Sequence, residues 1–370
     1  MRQAALLERI WRAGIAAVEG GAAVTRALED RPVPPPDRIL AVGKAAVPMA
    51  SAALARFSGR PALAVTKHGH AEGAPPGLEV IEAGHPLPDA GSLEAGAALR
   101  RAVAACGPGD HLLLLVSGGA SALAEAPEEG WTLEALAAET RRLLASGADI
   151  AAMNARRRQI SRLKGGRLLA GFGGAHVTVL AISDVQGDAI GVIGSGIGLV
   201  PEGVSFAHET RIVASNAIAR AACAEAARAE GLTVAENAED LSCDVGRAAG
   251  RLGARLRDGP PGLYIQGGEP TVILPDAPGR GGRNQALALM LAQEIANRDD
   301  IALLVAGTDG TDGPTDAAGA FVCGTTWGAG ADAALKAADS GTWLDSRGLL
   351  FRPGPTGTNV MDLVLALKSG

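Results

Sequence analysis

Aromatic side chains are scarce in this sequence: of 370 residues only 3% are Phe, Trp or Tyr, and there is one tyrosine. A protein that binds single strands by stacking bases on aromatic rings is therefore not expected. An excess of positive charge is missing too. Lys and Arg number 34 against 40 Asp and Glu, the formal net charge is -6, and no basic block occurs. Nothing here would neutralise a phosphate backbone, so nucleic acid is excluded as a partner. Cysteine is limited to Cys106, Cys223, Cys243 and Cys323, widely separated, with no C-x-x-C pair and no histidine at zinc spacing. Buried reduced thiols are expected. No run of about 18 apolar residues exists to span a bilayer, and the opening MRQAALLERIW lacks the basic-then-apolar layout of a signal peptide. The expectation is a soluble, cytoplasmic protein without a membrane partner.

What the sequence does have is apolar bulk. Hydrophobic residues make up 47% of a chain long enough for a substantial core, and its length favours two domains. Residues 4–28 carry Leu6, Leu7, Ile10, Trp11, Ile15 and Val18 at helical spacing, and the proline-rich stretch from Arg31 to Pro36 ends that helix. Alternation follows. Strands are predicted at Arg38–Gly43, Ala62–Thr66, His111–Val116 and Val177–Ser183, with helices after Lys44 and at 92–106, 132–145, 149–163 and 216–230. Further strands are predicted near 263–266 and 301–306, and helices near 284–297 and 329–339. Strands separated by helices imply βαβ units and a mainly parallel sheet. The domain boundary is expected between about residues 230 and 260, giving domains of 1–235 and 236–370.

Polar, glycine-rich clusters stand just after the predicted strands, where ligands bind in open α/β sheets. Ser117-Gly118-Gly119-Ala120-Ser121 leads into a helix and offers unshielded backbone N–H groups to an anion; a plain strand-to-helix turn is the other reading. Asp184 and Asp188 lie four residues apart in a glycine-containing loop, suited to Mg²⁺, to accepting a hydroxyl proton, or to capping a turn. The stretch Gly307 to Asp316 is the densest polar cluster. It is not an EF-hand, because the position that needs glutamate is Ala320. Lys44, Lys164, Arg167, Arg280 and Arg283 are basic groups beside glycines, able to clamp a carboxylate or phosphate. His68 and His70 read as loop residues. No Walker A loop, no G-x-S-x-G elbow and no G-x-G-x-x-G fingerprint occurs; the runs at Gly171–His176 and Gly194–Gly198 both miss the last.

The ordered series GKAA at Gly43, GHPLPDAG at Gly84, VSGGASAL at Val116, KGGRL at Lys164, SDVQGD at Ser183, GGEPTV at Gly267, GRGGRNQ at Gly279, GTDGTDGPTDAAGA at Gly307 and GPTGTNVMDL at Gly354 resembles the glycerate 2-kinase family of the MOFRL type. The resemblance runs from about residue 40 to 365. It implies two α/β/α domains: the first Rossmann-like with a mainly parallel sheet, the second a smaller α/β domain of MOFRL type. It also implies transfer of the γ-phosphoryl of ATP, with Mg²⁺, to the 2-hydroxyl of D-glycerate in an interdomain cleft. By the motif matches, Lys44, Asp184 and Arg283 would be catalytic. Ser117, Gly118, Gly119, Ser121, Lys164, Glu269, Asn284, Asp309 and Asn359 would bind substrate or nucleotide. Phosphoryl transfer needs charge stabilisation and a positioned nucleophile, which casts Lys44 and Arg283 as the electrostatic pair and Asp184 as the base. Asp188 or Asp309 would be the metal-side carboxylate.

One stretch departs from the family's pattern. Where the family continues into a serine-glycine-proline-threonine turn, this chain has Gly194-Ser195-Gly196-Ile197-Gly198, without the proline and with one hydroxyl fewer. Two further readings stay open: an NAD(P)H-dependent hydroxypyruvate reductase, a label that similar proteins have carried, and a catalytically silent nucleotide-binding homologue. Whether the chain forms a homo-oligomer is also left open.

Overall fold

The computed structural model describes residues 2–145 and 150–370. Its helices are α1 (Arg2–Val18), α2 (Gly20–Asp30), α3 (Ala46–Arg56), α4 (Ala90–Ala104), α5 (Ala120–Leu123), α6 (Leu133–Ala145), α7 (Ile150–Gln159), α8 (Asn216–Ala229), α9 (Val245–Asp258), α10 (Arg283–Glu294), α11 (Ala331–Lys336) and α12 (Ser340–Asp345). The strands are β1 (Arg38–Val42), β2 (Ala62–Lys67), β3 (Leu78–Ala83), β4 (His111–Val116), β5 (His176–Ile182), β6 (Ala207–Ala214), β7 (Val234–Glu239), β8 (Gly262–Gly268), β9 (Ile301–Gly307), β10 (Gly319–Cys323), β11 (Leu350–Phe351) and β12 (Asp362–Lys368). The start of the predicted 149–163 helix, at residue 149, lies outside the described residues.

The chain forms two compact units, one of Glu19–Ser215 with Gly357–Asn359, the other of Met1–Val18 with Asn216–Thr356 and Val360–Gly370. In the first unit six strands run parallel in the order β3-β2-β1-β4-β5-β6. Such a sheet is covered on both faces, so its inner strands read as unbroken apolar runs; every residue of β4, HLLLLV, is buried. Leu40, Val42, Leu112, Leu114 and Val116 pack on α4, while the alternate residues of these strands face α3. Helix α4 starts at a capping box, with Asp89 accepting the N–H of Ser92 while the Ser92 hydroxyl accepts that of Asp89.

The second unit holds a mixed sheet, β11-β10-β9-β12-β8-β7, in which β7 and β8 are parallel and the other pairs antiparallel. Helices α9 and α10 pack on one face through a core that includes Tyr264, Leu303, Val305 and Val364. Helices α1 and α8 cover the other, and Trp11 of α1 meets the Phe351 ring edge-on at 5.0 Å. Both units are therefore α/β/α layers.

The single helix predicted over 4–28 is two. Glu19 has extended backbone and its carboxylate accepts the N–H groups of Gly21 and Ala22, so it ends α1 and caps α2. Within the predicted 329–339 helix the structure has the shorter α11, Ala331–Lys336, and a separate α12 follows from Ser340. The thiols of Cys106 and Cys223 are buried, but Cys243 and Cys323 are only half-buried; all four are free.

Candidate active site

In the parallel sheet the strand order reverses between β1 and β4, and the carboxyl ends of these two strands carry the clusters around Lys44 and Ser117. The two turns are bonded together. Ser117 N–H donates to Val42 O at 2.9 Å, Lys44 N–H to Gly118 O at 2.9 Å, and Ala45 N–H to the Ser117 hydroxyl at 3.1 Å. Gly43 makes this approach possible, since its φ is +131° and a Cβ there would lie 2.2 Å from Ser117 Oγ. Gly118 is equally hemmed in, and Gly119 less so. A Cβ on Gly118 would lie 2.2 Å from Asp184 Oδ2 and 3.2 Å from Asn359 Nδ2, and one on Gly119 would lie 3.2 Å from Lys44 Cγ and 3.3 Å from the His85 ring. Lys44, Gly118, Gly119, Asp184, Asn359 and His85 are thus neighbours. Burial pushes the Asp184 carboxyl above its ordinary pKa, and the Lys44 ammonium pulls it partly back.

Helix α5, which follows this turn, is a single turn long, so the extended helix dipole expected behind Ser117–Ser121 is absent and the turn's own N–H groups remain as anion donors. Ser121 is committed elsewhere. Its hydroxyl lies 2.5 Å from that of Ser195, which donates to Asn154 Oδ1 at 2.8 Å. A hydroxyl has one proton. With that of Ser195 given to Asn154, Ser121 must donate to Ser195, and it has none left for a phosphate. Lys164 is also committed: it pairs with Glu125, which accepts from the Ser161 hydroxyl as well, and Lys164 and Glu125 are both almost fully buried. Burial pushes the Lys164 pKa down, against the pull of Glu125. Asp188 sits after Gly187 with a left-handed φ of +54°. Arg167 pairs with Glu128, and Arg280 with Asp316 and Asp345, all at the surface.

The second cluster belongs to the mixed-sheet unit. Asp362 opens β12 between the carboxyl ends of β8 and β9, paired in register with Gly268 and Gly307. Arg283, the first residue of α10, grips both Asp362 oxygens at 2.6 and 3.1 Å and meets Glu269 at 2.7 Å. The half-buried arginine loses some solvation but gains more from Asp362 and Glu269, so its pKa is raised. Asn284 is 1% exposed and neither polar atom of its amide has a hydrogen-bond partner; its nitrogen lies 3.3 Å from where a Cβ on Gly307 would stand. Two residues beyond Gly307, Asp309 accepts the N–H and hydroxyl of Thr311. Asp312 accepts the N–H groups of Asn284 and Gln285, and burial raises its pKa to about 7.

The MOFRL family matches residues 262–362, and a family described as a domain of unknown function, DUF4147, matches residues 6–229. The chain is 37% identical to the D-glycerate 2-kinase of Thermotoga maritima, over 90% of this chain and 91% of that one. The chain belongs to the glycerate 2-kinase family of the MOFRL type. A glycerate kinase crystal structure from the same organism superposes with a TM-score of 0.86 at 33% identity, covering 98% of each chain, so the family's fold is shared throughout. Another family relative, from Agrobacterium vitis, is 34% identical over 97% of this chain and 93% of its own, and carries hydroxypyruvate reductase as a provisional name.

Of the residues picked from sequence, Lys44, Ser117, Gly118, Gly119, Asp184 and Asn359 gather in one unit, and Arg283, Glu269 and Asn284 in the other. His85, Glu125, Asp312 and Asp362 went unassigned, although three of them lie inside quoted motifs. Their signal was the motif position itself, since one histidine or aspartate in a loop has no periodicity to distinguish it.

Proposed function

We propose that this chain transfers the γ-phosphoryl of ATP to the 2-hydroxyl of D-glycerate. The observation that carries the reading is the Gly118 cradle, where the Asp184 carboxylate occupies the space of an absent Cβ beside the turn that also holds Lys44. A carboxylate held above its ordinary pKa accepts a hydroxyl proton more readily, which suits Asp184 to orient and deprotonate the attacking 2-hydroxyl. The backbone of Gly118 and Gly119 admits phosphate oxygens closely, and Lys44 offsets their charge. Arg283 is assigned to the same reaction by its motif. It is already oriented by Asp362 and Glu269, so it meets developing charge without reorganising.

Mg²⁺ takes one or two carboxylates and completes its shell with waters and phosphates, so it needs no closed protein cage. Asp188 or Asp309 would supply its carboxylate, and the ion would neutralise phosphate charge.

The provisional name of the Agrobacterium relative favours a second reading, reduction of hydroxypyruvate. Against it stands the turn after β1, which in a dinucleotide-binding sheet carries G-x-G-x-x-G and here reads Gly43-Lys44-Ala45-Ala46. The deciding experiment follows ADP release from purified protein with ATP, Mg²⁺ and D-glycerate, assigns the product as 2- or 3-phosphate, and runs NADH with hydroxypyruvate in parallel. Turnover to 2-phosphoglycerate is expected. NADH oxidation without ADP release would overturn the proposal.

A further inference from the structure

Helix α10 begins without a capping side chain of its own. Its N-cap is Gly282, extended at φ −131° and ψ −179°, with no side chain to receive the first N–H groups. Those groups are satisfied from a distant loop. Asp312 Oδ1 accepts the Asn284 N–H at 3.1 Å and Oδ2 accepts the Gln285 N–H at 2.8 Å, the two positions an N-cap side chain ordinarily serves. The loop is tied down again by Gln285, whose amide donates to the Thr315 hydroxyl at 2.7 Å. The fit requires glycine at 282, because a Cβ there would stand 2.2 Å from Asp312 Cγ and Oδ1. Asp312 itself is 4% exposed. It can reach no reactant directly except through what it holds, and what it holds is the turn of helix whose first residue is Arg283.

We infer that Asp312 is a positioning residue for phosphoryl transfer, acting as a borrowed N-cap that fixes the first turn of α10 and with it the guanidinium of Arg283. This rests on the role proposed for Arg283. Asp312 works with the Asp362 and Glu269 carboxylates: those hold the end of the Arg283 side chain, and Asp312 holds its backbone root. Removing the cap frees two N–H groups and lets the helix start fray, so Arg283 no longer meets developing charge in one geometry. A displacement of about 1 Å at a charge-stabilising group costs on the order of 100-fold in rate.

The test uses Asp312→Ala, Asp312→Asn, Gly282→Ser and the pair Gly282→Ser with Asp312→Ala in the full chain. Steady-state glycerate phosphorylation is measured well below each variant's Tm, with amide hydrogen exchange at Asn284 and Gln285 alongside. Asp312→Ala is expected to lower kcat by roughly 10- to 100-fold with little change in KM for ATP, and to speed exchange at both amides. Asp312→Asn, which keeps one acceptor oxygen, should fall between. Gly282→Ser alone should be harmful, since its Cβ meets the Asp312 carboxylate, yet in the Asp312→Ala background it supplies a local N-cap and should restore much of kcat and the slow exchange. Unchanged kcat in Asp312→Ala, or recovery of Tm by the pair without recovery of kcat, would reduce Asp312 to a purely structural cap and overturn the inference. Wild-type protein that phosphorylates no glycerate would instead sink the proposed activity, and unchanged exchange at the two amides in Asp312→Ala would refute the cap itself whatever the activity.

Discussion

Gly118→Ala isolates the claim that Asp184 must stand where it does. The new methyl carbon would lie 2.2 Å from Asp184 Oδ2, 2.7 Å from Asp184 Cγ and 3.2 Å from Asn359 Nδ2. Non-bonded carbon and oxygen need about 3.5 Å, so the carboxylate must retreat by roughly 1 Å. Gly118 does not have a left-handed backbone, so alanine meets no conformational penalty of its own and the effect is steric. A retreat of about 1 Å by the base lowers kcat on the order of 100-fold, while overpacking costs about 1–3 kcal/mol and lowers Tm by several degrees. The assay is kcat and KM for Gly118→Ala, Asp184→Asn and the double variant, each at a temperature where all are folded. If the methyl acts by displacing Asp184, the double variant is no slower than Asp184→Asn alone. Wild-type kcat in Gly118→Ala, or losses that simply add, would refute the reasoning.

Lys44→Ala and Arg283→Ala should each lower kcat/KM by roughly two to three orders of magnitude; near-normal turnover in either removes that residue from the site. Lys164→Met leaves the Glu125 charge buried without its partner, which costs about 3–5 kcal/mol, so thermal unfolding should drop sharply and recover when Glu125 is also made apolar; a variant that unfolds normally but loses activity would make Lys164 a binding residue instead. The folded protein holds the proton on Asp312 up to about pH 7, whereas the unfolded chain releases it near 4. The fold therefore binds an extra proton across that window, so this group's contribution to stability falls as pH rises from about 4 to about 7 and is level above. Asp312→Asn should flatten the stability–pH curve there relative to wild type, and parallel curves would show that Asp312 titrates normally.

The sequence makes the parallel sheet legible for a physical reason: a strand buried on both faces must be apolar throughout, and HLLLLV shows it. The polar turns after β1, β4 and β5 stand out by contrast with such strands, so Lys44, Ser117 and Asp184 were accessible. The order of the strands was not, because pairing is a long-range choice that no local window contains. Strand β12 was missed for a related reason. DLVLALK is a short apolar run that periodicity cannot assign to strand or helix, yet it lies between β8 and β9 and brings in Asp362. Helix α1 shows the limit of an apolar stripe, which says that a helix packs but not on what; its partner, α8, begins nearly two hundred residues later. The cap on α10 was invisible for the opposite reason, since a helix start is sought in the residue just before it, and here the oxygen comes from Asp312.

The turn at 194–198 looked like a loss, a proline and a hydroxyl missing from the family's pattern. Three successive residues there, Gly194, Ser195 and Gly196, have φ of +55°, +58° and +80°. The missing proline would stand at Ile197, after Ser195 and Gly196, where φ is −62° and lies within proline's range, so these positive angles do not exclude it. Glycine meets no penalty at those angles, while Ser195 does, and strained non-glycine residues persist where their surroundings hold them. What holds Ser195 is its hydroxyl, buried between Ser121 and Asn154. The same bonds turn the Ser121 proton away from any ligand. The hydroxyl that this chain keeps therefore anchors the loop after β5 to the turn after β4 and to α7.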